Sequence, residues 1–358
     1  MSIFPKFFFT LFGNALPSWL RSYIARVEGD GGTIVDTGHT KEVYADVIDY
    51  EPTLIQSCDS GSAGNLYSLF VNPIQLLDNY TGSAAAYSLR SLSESTTNVV
   101  KVRRSGDDAE LDFTASEVSD GTLAAWVVAG GGTEDGFVTT WYDQSGNANN
   151  ATQATAANQP KIVSSGTLVT ENGKAAVDFD GTDDNLNTSA FEMTSAFSVF
   201  GAFNMSATSG YRALISHNFV SAGSAYLTQG RWLLTRTGSA SQDWQNGDAV
   251  LIGDGSNSIR DPRFVSNGSV FSANTQYAVS GVLSNTTSQL WANGSASTAR
   301  IQETASITSE TGKVYIGSSE LLDEFQGTIQ EVILYDSDQS ANRTGIEANI
   351  NAHYNIYP

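Results

Sequence analysis

The sequence predicts an all-β protein, a β-sandwich that follows an N-terminal arm and ends in one helix. From about Leu76 onward, short apolar runs alternate with turn residues, a pattern typical of strands joined by tight turns. The composition agrees, because 33 Gly, 7 Pro and only 16% charged residues among 358 leave a polar fraction suited to many turns. Near the end, Ile346, Ile350 and Tyr354 recur every four residues and predict an amphipathic helix.

Individual strands follow from apolar runs. AFSVFGAFNM (196–205) is apolar on both faces of the pleat, with Phe197 and Phe203 on one face and Phe200 on the other, so it predicts a central strand covered on both sides. Asn293-Gly294 predicts a hairpin turn, and Asp336–Asp338 supply candidate caps for the last helix. Further strands are predicted in TQYAVSGVLS (275–284), SQLWANGSAS (288–297), GKVYIGSS (312–319) and GTIQEVILYD (327–336).

The charge narrows the choice of partners. A formal net charge of −20 repels nucleic acid phosphates and anionic membranes, so neither is an expected partner. The apolar start of the chain is interrupted by Pro5, Lys6, Asn14 and Pro17, so no membrane span is predicted there.

Cysteine and histidine offer little for a metal site. Cys58 is the single cysteine, which excludes an internal disulfide and a cysteine-based zinc site. His39, His217 and His353 lie far apart and match no metal-ligand spacing, so we expect surface or packing roles for them. No glycine-rich phosphate loop precedes a helix, so no nucleotide cofactor is expected.

Residues 1–75 are interpreted as an attachment and oligomerisation region, and residues 76–358 as the sandwich. Within residues 23–50 the pattern predicts an edge strand, a glycine turn and a short helix. Large aromatic side chains near the start must be buried, either in this chain's own core or in a partner subunit, and we expect the partner. A homo-oligomer, most simply a trimer, would cover them. The expected interface residues are Phe4, Phe7, Phe8, Phe9, Phe12 and Trp19.

Residues 179–354 resemble the concanavalin A-like lectin/glucanase superfamily, especially its laminin-G-like members. The resemblance rests on FDGTDDNL (179–186), FSVFGAFN (197–204), QLWANGSAS (289–297), FQGTIQEVILYD (325–336) and SANRTGIEANINAHY (340–354). It implies a jelly-roll β-sandwich closed by the C-terminal helix.

An upstream region is similar to a module of bacteriophage tail and virion proteins. It comprises AYSLRSLS (86–93), VKVRRSGDDAELDF (100–113) and GFVTTWYDQSGNANNATQATAANQPKIV (136–163). In such proteins the module precedes laminin-G-like strands. The resemblance implies a non-enzymatic structural protein at the virion surface, a spike, fibre or decoration subunit. It would contact other virion proteins through the arm and could bind host-surface glycans.

The phrase YDQSG-x-x-N also resembles the fungal-type α-L-arabinofuranosidase B domain. Its matching positions are Tyr142, Asp143, Gln144, Ser145, Gly146 and Asn149. That family carries its nucleophilic glutamate beside adjacent cysteines, a segment that this chain lacks. The likeness therefore implies a shared scaffold, and a glycoside hydrolase stays the alternative, beside a free carbohydrate-binding module. Asp143, Asp180, Glu192 and Glu331 are candidate carboxylates, but no spacing ties any two into a catalytic pair.

Two binding sites are hypotheses from the residues. Aromatic rings with polar tips suit sugar faces, so the candidate glycan-binding residues are Trp141, Tyr142, Asp143, Gln144 and Asn147. Strand alternation sends one of the two aromatics inward, and we expect the polar residues first to fasten the loop that follows them. Asp180, Asp183 and Asp184 either ligate calcium or cap a turn at Gly181, and the turn is the expected outcome.

Overall fold

The computed structural model contains two compact units, Met1–Asn79 and Tyr80–Pro358. It describes, with side chains, residues 75–129, 132–206, 212–217, 271–284, 289–296, 309, 311–319 and 324–358, and the backbone of the strands that lie outside these ranges. Within this described part, no helix is long and apolar enough to cross a membrane.

The first unit contains an antiparallel sheet in the order β2-β3-β1-β4. Its elements are β1 (Lys6–Thr10), β2 (Thr33–Asp36), β3 (Thr40–Tyr44), β4 (Ser68–Val71) and α1 (Leu76–Asn79). The short helix predicted within residues 23–50 does not include β2 or β3, because these two segments pair with each other as strands. The glycines of the predicted turn lie outside the described residues. The predicted arm contributes β1, which pairs with β3 and β4. The side chains of Phe4, Phe7, Phe8, Phe9, Phe12 and Trp19 lie outside the described residues, so their interface role stays a prediction.

The second unit is built almost entirely from short antiparallel strands. Its strands are β5 (Ser83–Ser88), β6 (Val100–Arg104), β7 (Glu110–Phe113), β8 (Gly136–Trp141), β9 (Ala151–Thr152), β10 (Lys161–Ser164), β11 (Thr167–Leu168), β12 (Thr170–Glu171), β13 (Lys174–Ala175), β14 (Val177–Asp180), β15 (Leu186–Asn187), β16 (Phe191–Met193), β17 (Phe197–Met205), β18 (Arg212–His217), β19 (Val220–Ala222), β20 (Ala225–Gln229), β21 (Trp232–Arg236), β22 (Ala249–Gly253), β23 (Arg263–Ser266), β24 (Thr275–Leu283), β25 (Ser288–Ala292), β26 (Ser295–Ala296), β27 (Arg300–Gln302), β28 (Glu310–Gly312), β29 (Val314–Ile316) and β30 (Gln326–Tyr335). Its α-helices are α2 (Ala115–Ser119), α3 (Thr122–Val128) and α4 (Arg343–Tyr354).

The central strand is β17, as its two apolar faces predicted. It pairs with β24 along one edge and with β30 along the other. Phe200 and Phe203, on opposite faces of the pleat, are both fully buried. Strand β30 then continues the sheet to β5 and β14.

A second run of strands packs over this sheet. It includes β29, β18, β21 and β22, joined in antiparallel register. One apolar cluster contains Phe203 and Ile329 from the first run together with Leu214 and Ile316 from the second, so the core lies between the two. The all-β, jelly-roll sandwich predicted from the sequence is therefore confirmed.

One turn and one strand position show why particular glycines are required. Asn293 and Gly294 have positive φ values of 49° and 73°, and they join β25 to β26 as the hairpin predicted. Gly327 lies in β30 opposite Met205 of β17 and has a φ of 137°. A Cβ placed there would lie 2.1 Å from the carbonyl oxygen of Asn204, so a side chain would push the two strands apart.

The C-terminal helix buries the predicted stripe, since Ile346, Ile350 and Tyr354 are all 2% exposed or less. Its cap differs from the prediction: the helix begins after Asn342, which makes no side-chain cap bond. Asp338 instead accepts a hydrogen bond from the backbone N–H of Ser340, within the turn before the helix. Short polar side chains such as Asp and Asn suit both a helix cap and the turn before a helix. The pattern of side chains alone therefore does not show which of them directly precedes the helix.

Candidate functional site

The aromatic pair at the end of β8 divides between core and surface. Trp141 is fully buried and packs beside Tyr87, with ring centroids 6.1 Å apart. Tyr142 is half-buried, and its hydroxyl donates to Asp112 Oδ1 at 2.6 Å. Because no face of Trp141 is accessible, a sugar ring cannot stack on it in this fold.

Asp143 fastens the loop after β8 to strand β5. Its Oδ1 accepts hydrogen bonds from the backbone N–H groups of Ala86 and Ser145, both at 2.9 Å. Its Oδ2 accepts from the hydroxyl of Ser145 at 2.8 Å and from the N–H of Asn149 at 2.9 Å. The carboxylate thus satisfies four donors, as expected of a residue that holds the following loop.

Gln144 forms its side-chain hydrogen bonds with residues that precede it in the chain, rather than with the loop that follows it. Its side chain is 6% exposed, and Nε2 donates to the carbonyl oxygens of Ser88 and Arg90 at 2.9 and 3.0 Å. Its Oε1 accepts from the N–H of Leu92 at 2.7 Å and from the hydroxyl of Thr96 at 3.1 Å. The expected bonds to the loop after it are therefore replaced by bonds to residues 88–96.

Asparagines complete this arrangement. Asn147 donates through Nδ2 to the carbonyl oxygens of Ser83 and Ala84 at 2.9 and 3.1 Å. Asn149 Nδ2 donates to the same Ala84 oxygen at 2.9 Å, and its own carbonyl accepts from the Tyr87 hydroxyl. Residues 143–149 and β5 thus form one hydrogen-bonded clasp, which we call the loop clasp.

A charged pair lies where β5 meets β30. The Arg90 guanidinium donates from Nε to Glu331 Oε2 at 2.8 Å and from Nη2 to Glu331 Oε1 at 2.9 Å. Glu331 is fully buried, whereas the Arg90 side chain is 16% exposed. Gln144 holds the backbone carbonyl of Arg90 from behind, which links the pair to the loop clasp.

Hydroxyl groups complete the surroundings of Glu331. Ser88 Oγ donates to Oε2 at 2.8 Å, and the Tyr354 hydroxyl lies 3.1 Å from the same oxygen. Burial acts to raise the pKa of Glu331, but the charge of Arg90 and hydrogen bonds from Arg90 and Ser88 outweigh it and hold that pKa below its ordinary value. Glu331 therefore stays ionised and cannot serve as a proton donor near neutral pH.

A cavity of about 460 Å³ opens beside this pair. Its walls come from the segment after β5, helix α2, the β12–β13 hairpin and the C-terminal end of α4. The charged, titratable and hydroxyl-bearing residues that line it are Arg90, Lys174, His353, Tyr354, Ser91, Ser116, Ser119 and Thr170. Apolar residues and Gly173 complete the lining, and no carboxylate or side-chain amide belongs to it.

The β12–β13 hairpin is held firmly against the sheet. Buried Gln330 donates through Nε2 to the carbonyl oxygens of Glu171 and Lys174 at 3.1 and 3.2 Å. Asn172, at the hairpin tip, donates to the carbonyl of Tyr354 at 2.8 Å and so joins the hairpin to the end of α4. These hydrogen bonds from side-chain amides to backbone carbonyls thus preorganise the wall that the hairpin and the end of α4 form.

Two further basic side chains face this cavity. Lys174 is exposed and makes no hydrogen bond or ion pair through its ammonium group within the described structure. His353 is half-buried and meets the Tyr354 ring edge-on, with centroids 4.6 Å apart. Burial, reinforced by the charge of Arg90, lowers the pKa of His353 to about 4, so its ring is neutral at physiological pH.

The acidic turn at residues 180–184 forms a separate cluster. One oxygen from each of Asp180, Asp183 and Asp184 lies within 4.8 Å of the others. Asp180 Oδ1 accepts from the N–H of Thr182 at 2.7 Å, and Asp184 Oδ2 accepts from the N–H of Asp180 at 2.9 Å. Burial, together with the neighbouring carboxylates, raises the pKa of Asp184 to about 6. These bonds agree with the turn interpretation, and calcium binding stays a prediction.

The candidate catalytic carboxylates do not converge on the cavity. Glu331 is buried behind Arg90, and the oxygens of Asp143 serve the loop clasp. Asp180 belongs to the acidic turn, and Glu192 is exposed on β16. None of the four lines the cavity.

No protein-family model and no curated protein matches the sequence. Among solved structures, the fold is similar to a GH54 α-L-arabinofuranosidase soaked with a cyclic sulfate inhibitor, with a TM-score of 0.57 and 17% identity over 77% of this chain. A mutant of a GH54 α-L-arabinofuranosidase soaked with 4-nitrophenyl α-L-arabinofuranoside gives a TM-score of 0.51, with the same identity and coverage. The chain spans 64% of the length of each of these enzymes. At this identity the likeness shows a common sandwich fold.

Sequence reasoning missed the basic lining of the cavity. Arg90 lies in AYSLRSLS (86–93), a segment that indicated only the resemblance to virion proteins. No motif or spacing in the sequence indicated a role for Lys174. His353 was expected in a surface or packing role, whereas the structure places it on the cavity wall. His217 is fully buried in β18, and His39 and Cys58 lie outside the described residues. The one available signal for His353 was its position beside Tyr354 on the apolar stripe of α4.

Proposed function

We propose that this chain is a non-enzymatic bacteriophage virion protein, a surface spike, fibre or decoration subunit, whose Tyr80–Pro358 unit is a lectin-like domain that binds a host glycan. The virion role is supported by the order of segments 86–93, 100–113 and 136–163 before the laminin-G-like strands. The observation that carries glycan binding is the preorganised polar cavity beside Arg90.

The cavity suits a small saccharide. Its volume of about 460 Å³ lies within the range of about 300–1,000 Å³ common for small-molecule sites. Hydroxyl groups of Ser91, Ser116 and Thr170 can exchange hydrogen bonds with sugar hydroxyls, and the lining also includes apolar surface. The cavity replaces the loop clasp as the favoured site, because Trp141 is buried and Asp143 and Gln144 bond to the chain itself.

The chemistry of the carboxylates supports a binding role over hydrolysis. A glycosidase of the usual kind needs two carboxyl groups about 5–9.5 Å apart, one of which donates a proton. The described lining of the cavity contains no carboxyl group, so it offers neither the pair nor the proton donor. Glu331, which is bound to the lining residue Arg90, is buried, ionised and hydrogen-bonded on both oxygens.

Mass spectrometry of purified particles tests the virion role. The protein should be present in stoichiometric amount after extensive washing, and its absence from particles would refute that role. Glycan-array binding by the full chain tests the lectin-like role independently, because it requires no particle.

A glycoside hydrolase is the second candidate, favoured by the fold likeness to α-L-arabinofuranosidases. Incubation of the full chain with arabinan and other polysaccharides, followed by measurement of reducing ends, separates the two. Release at ordinary enzymatic rates that is lost in Asp143→Asn or Glu331→Gln, with the variant still folded, would favour the hydrolase.

A further inference from the structure

We infer that the cavity beside Arg90 takes a saccharide that bears a carboxylate, such as a hexuronate, and that Arg90 and Lys174 receive that carboxylate. This inference rests on the proposed glycan binding and specifies the ligand class of the same site.

The balance of donors and acceptors in the lining distinguishes acidic from neutral sugars. Neutral sugar hydroxyls both donate and accept, and the hydroxyl groups of the lining can match them. The two charged side chains of the lining, Arg90 and Lys174, only donate, and no carboxylate or side-chain amide of the lining faces them. A ligand rich in acceptors therefore satisfies the cavity better than a neutral sugar does.

Arg90 is held in place for this task. Its Nε and Nη2 are fixed by Glu331, which Ser88 and Tyr354 hold in turn. Its Nη1 takes no part in the two bonds to Glu331, so this guanidinium nitrogen is the one left to meet a ligand, beside the Tyr354 ring, whose centroid lies 5.8 Å from Arg90 Cζ. Planar guanidinium groups that are already oriented lose little freedom when they bind a carboxylate.

Lys174 supplies a cationic group that forms no ion pair within the described structure, although Glu171 lies opposite it in the hairpin register. The Arg90–Glu331 pair is neutral as a unit, and His353 is neutral at physiological pH because burial lowers its pKa to about 4. The free ammonium of Lys174, on the fixed β12–β13 hairpin, therefore makes the cavity positive. This sign is opposite to that of the whole chain, whose net charge is −20.

The contrast between the cationic lining and the negative net charge of the chain also limits how many acidic sugar residues the ligand carries. A polyanionic polysaccharide would be repelled by the net charge of −20 of the whole chain within roughly a Debye length, about 8 Å at physiological ionic strength. One acidic residue in an otherwise neutral glycan avoids this repulsion. The surface and the cavity together therefore favour a single acidic sugar.

Isothermal titration of the full chain with methyl glucuronide and methyl glucoside tests the inference, because the two probes differ only at the carboxylate. One charge-assisted hydrogen bond is worth about 1.5–3 kcal/mol, so the glucuronide should bind about 10- to 100-fold more tightly. Lys174→Glu should remove most of this preference. The matched control Lys101→Gln, whose partner is Asp112 outside the cavity, should retain it. Ser116→Trp, at an exposed position of the lining, should block both sugars.

Each other result has a distinct meaning. Equal binding of the two methyl glycosides in the cavity would overturn the acidic-sugar inference and leave glycan binding standing. A preference for glucuronide that survives both Lys174→Glu and Ser116→Trp would place the site elsewhere and overturn it as well. Binding of inorganic phosphate as tight as that of glucuronide would show a simple anion site and refute the saccharide. Failure of every sugar here, and of every glycan on the array, would refute the proposed glycan binding itself and leave the virion role to its own test.

Discussion

Arg90 and Glu331 lie 241 positions apart in the sequence and form a two-point ion pair, with N–O distances of 2.8 and 2.9 Å. The antiparallel pairing of β5 with β30 places Ser88 opposite Glu331, which brings Arg90 within reach. Because Glu331 is fully buried, the charge of Arg90 and the surrounding hydrogen bonds must compensate for its lost hydration. The pair thus couples the strand pairing of the sandwich to the wall of the cavity.

Replacing Glu331 should destabilise the fold strongly. Glu331→Gln leaves Arg90 without its counter-charge, and breaking a buried pair costs about 3–5 kcal/mol. Urea unfolding at pH 7 measures this loss. The double variant Arg90→Met/Glu331→Met should lose less than the single variant, since neither charge is then buried alone. If Glu331→Gln unfolds at the wild-type midpoint, the pair does not stabilise the fold.

Asp143 should be equally important, through the loop clasp. Asp143→Ala removes the acceptor of four hydrogen bonds, three of them from backbone N–H groups, so we expect a loss of about 2–4 kcal/mol. Asp120→Ala is a matched control, because the exposed Asp120 accepts from one backbone N–H in its own turn. Its loss should stay below about 1 kcal/mol by urea unfolding. Equal losses for the two variants would contradict the clasp.

Features fixed by local pattern were predictable from the sequence. The two-faced strand at Phe197–Met205 and the apolar stripe Ile346–Ile350–Tyr354 follow from period-two and period-four spacing, and the Asn293-Gly294 turn follows from backbone preference. The bonds of Asp143 to the loop after it span only six residues. Local chemistry therefore predicted most of the sandwich and one half of the loop clasp.

The other half of the loop clasp and the cavity depend on contacts between residues that are distant in sequence. Gln144 bonds to residues 88–96, and Arg90 meets Glu331, only because β5 lies between β30 and the loop after β8. The cavity likewise assembles Arg90, Lys174 and His353 from three parts of the chain. Short-range ambiguity caused the helix-cap error, because Asp336 and Asp338 suit a cap but bond to Thr194 and Ser340 instead.

Replacing Asp184 in the acidic turn by a neutral residue should stabilise the fold, and the size of this gain should depend on pH. Its folded pKa of about 6 lies above the ordinary value of 3.8, so the folded state binds more protons between these values and loses stability as pH rises through this window. Asp184→Asn removes the ionised group and keeps an acceptor for the Asp180 N–H. Above pH 6 we expect this variant to be about 1–2 kcal/mol more stable than wild type, and near pH 4 the difference should vanish. Unfolding curves at pH 4 and 7.5 measure this, with exposed Glu110→Gln as the control. An equal effect at both pH values would contradict the assignment.

Chelation distinguishes the turn from a calcium site. Because Asp180 and Asp184 already accept backbone hydrogen bonds, we predict the same melting temperature in chelator and in calcium. A ligand that binds only the folded state raises the melting temperature with concentration. A rise in calcium that is reversed by chelator and absent in Asp183→Asn would establish the calcium alternative.

The two compact units predict where the chain can be cut. The main apolar cluster of the described residues runs from Ala85 to Leu334, and Ile346 and Ile350 of α4 are buried as well, so residues 80–358 carry their own core. Strand β1 lies between β3 and β4, so deletion of residues 1–25 removes an inner strand from the sheet of the first unit and leaves that unit incomplete. Deletion of residues 1–79 should therefore give the cleaner result: a soluble, cooperatively unfolding fragment that retains glycan binding.

If the first unit attaches and oligomerises the protein, the fragment 80–358 should be monomeric by light scattering and absent from particles, whereas the full chain forms an oligomer. The aromatic side chains near the start supply the driving force, since burying each one is worth about 1.5–3 kcal/mol. A fragment 80–358 that fails to fold would show that the second unit needs the first to complete its core. A fragment that still oligomerises would place the subunit interface on the sandwich and refute oligomerisation through the first unit, and a fragment that is still found in particles would refute attachment through it.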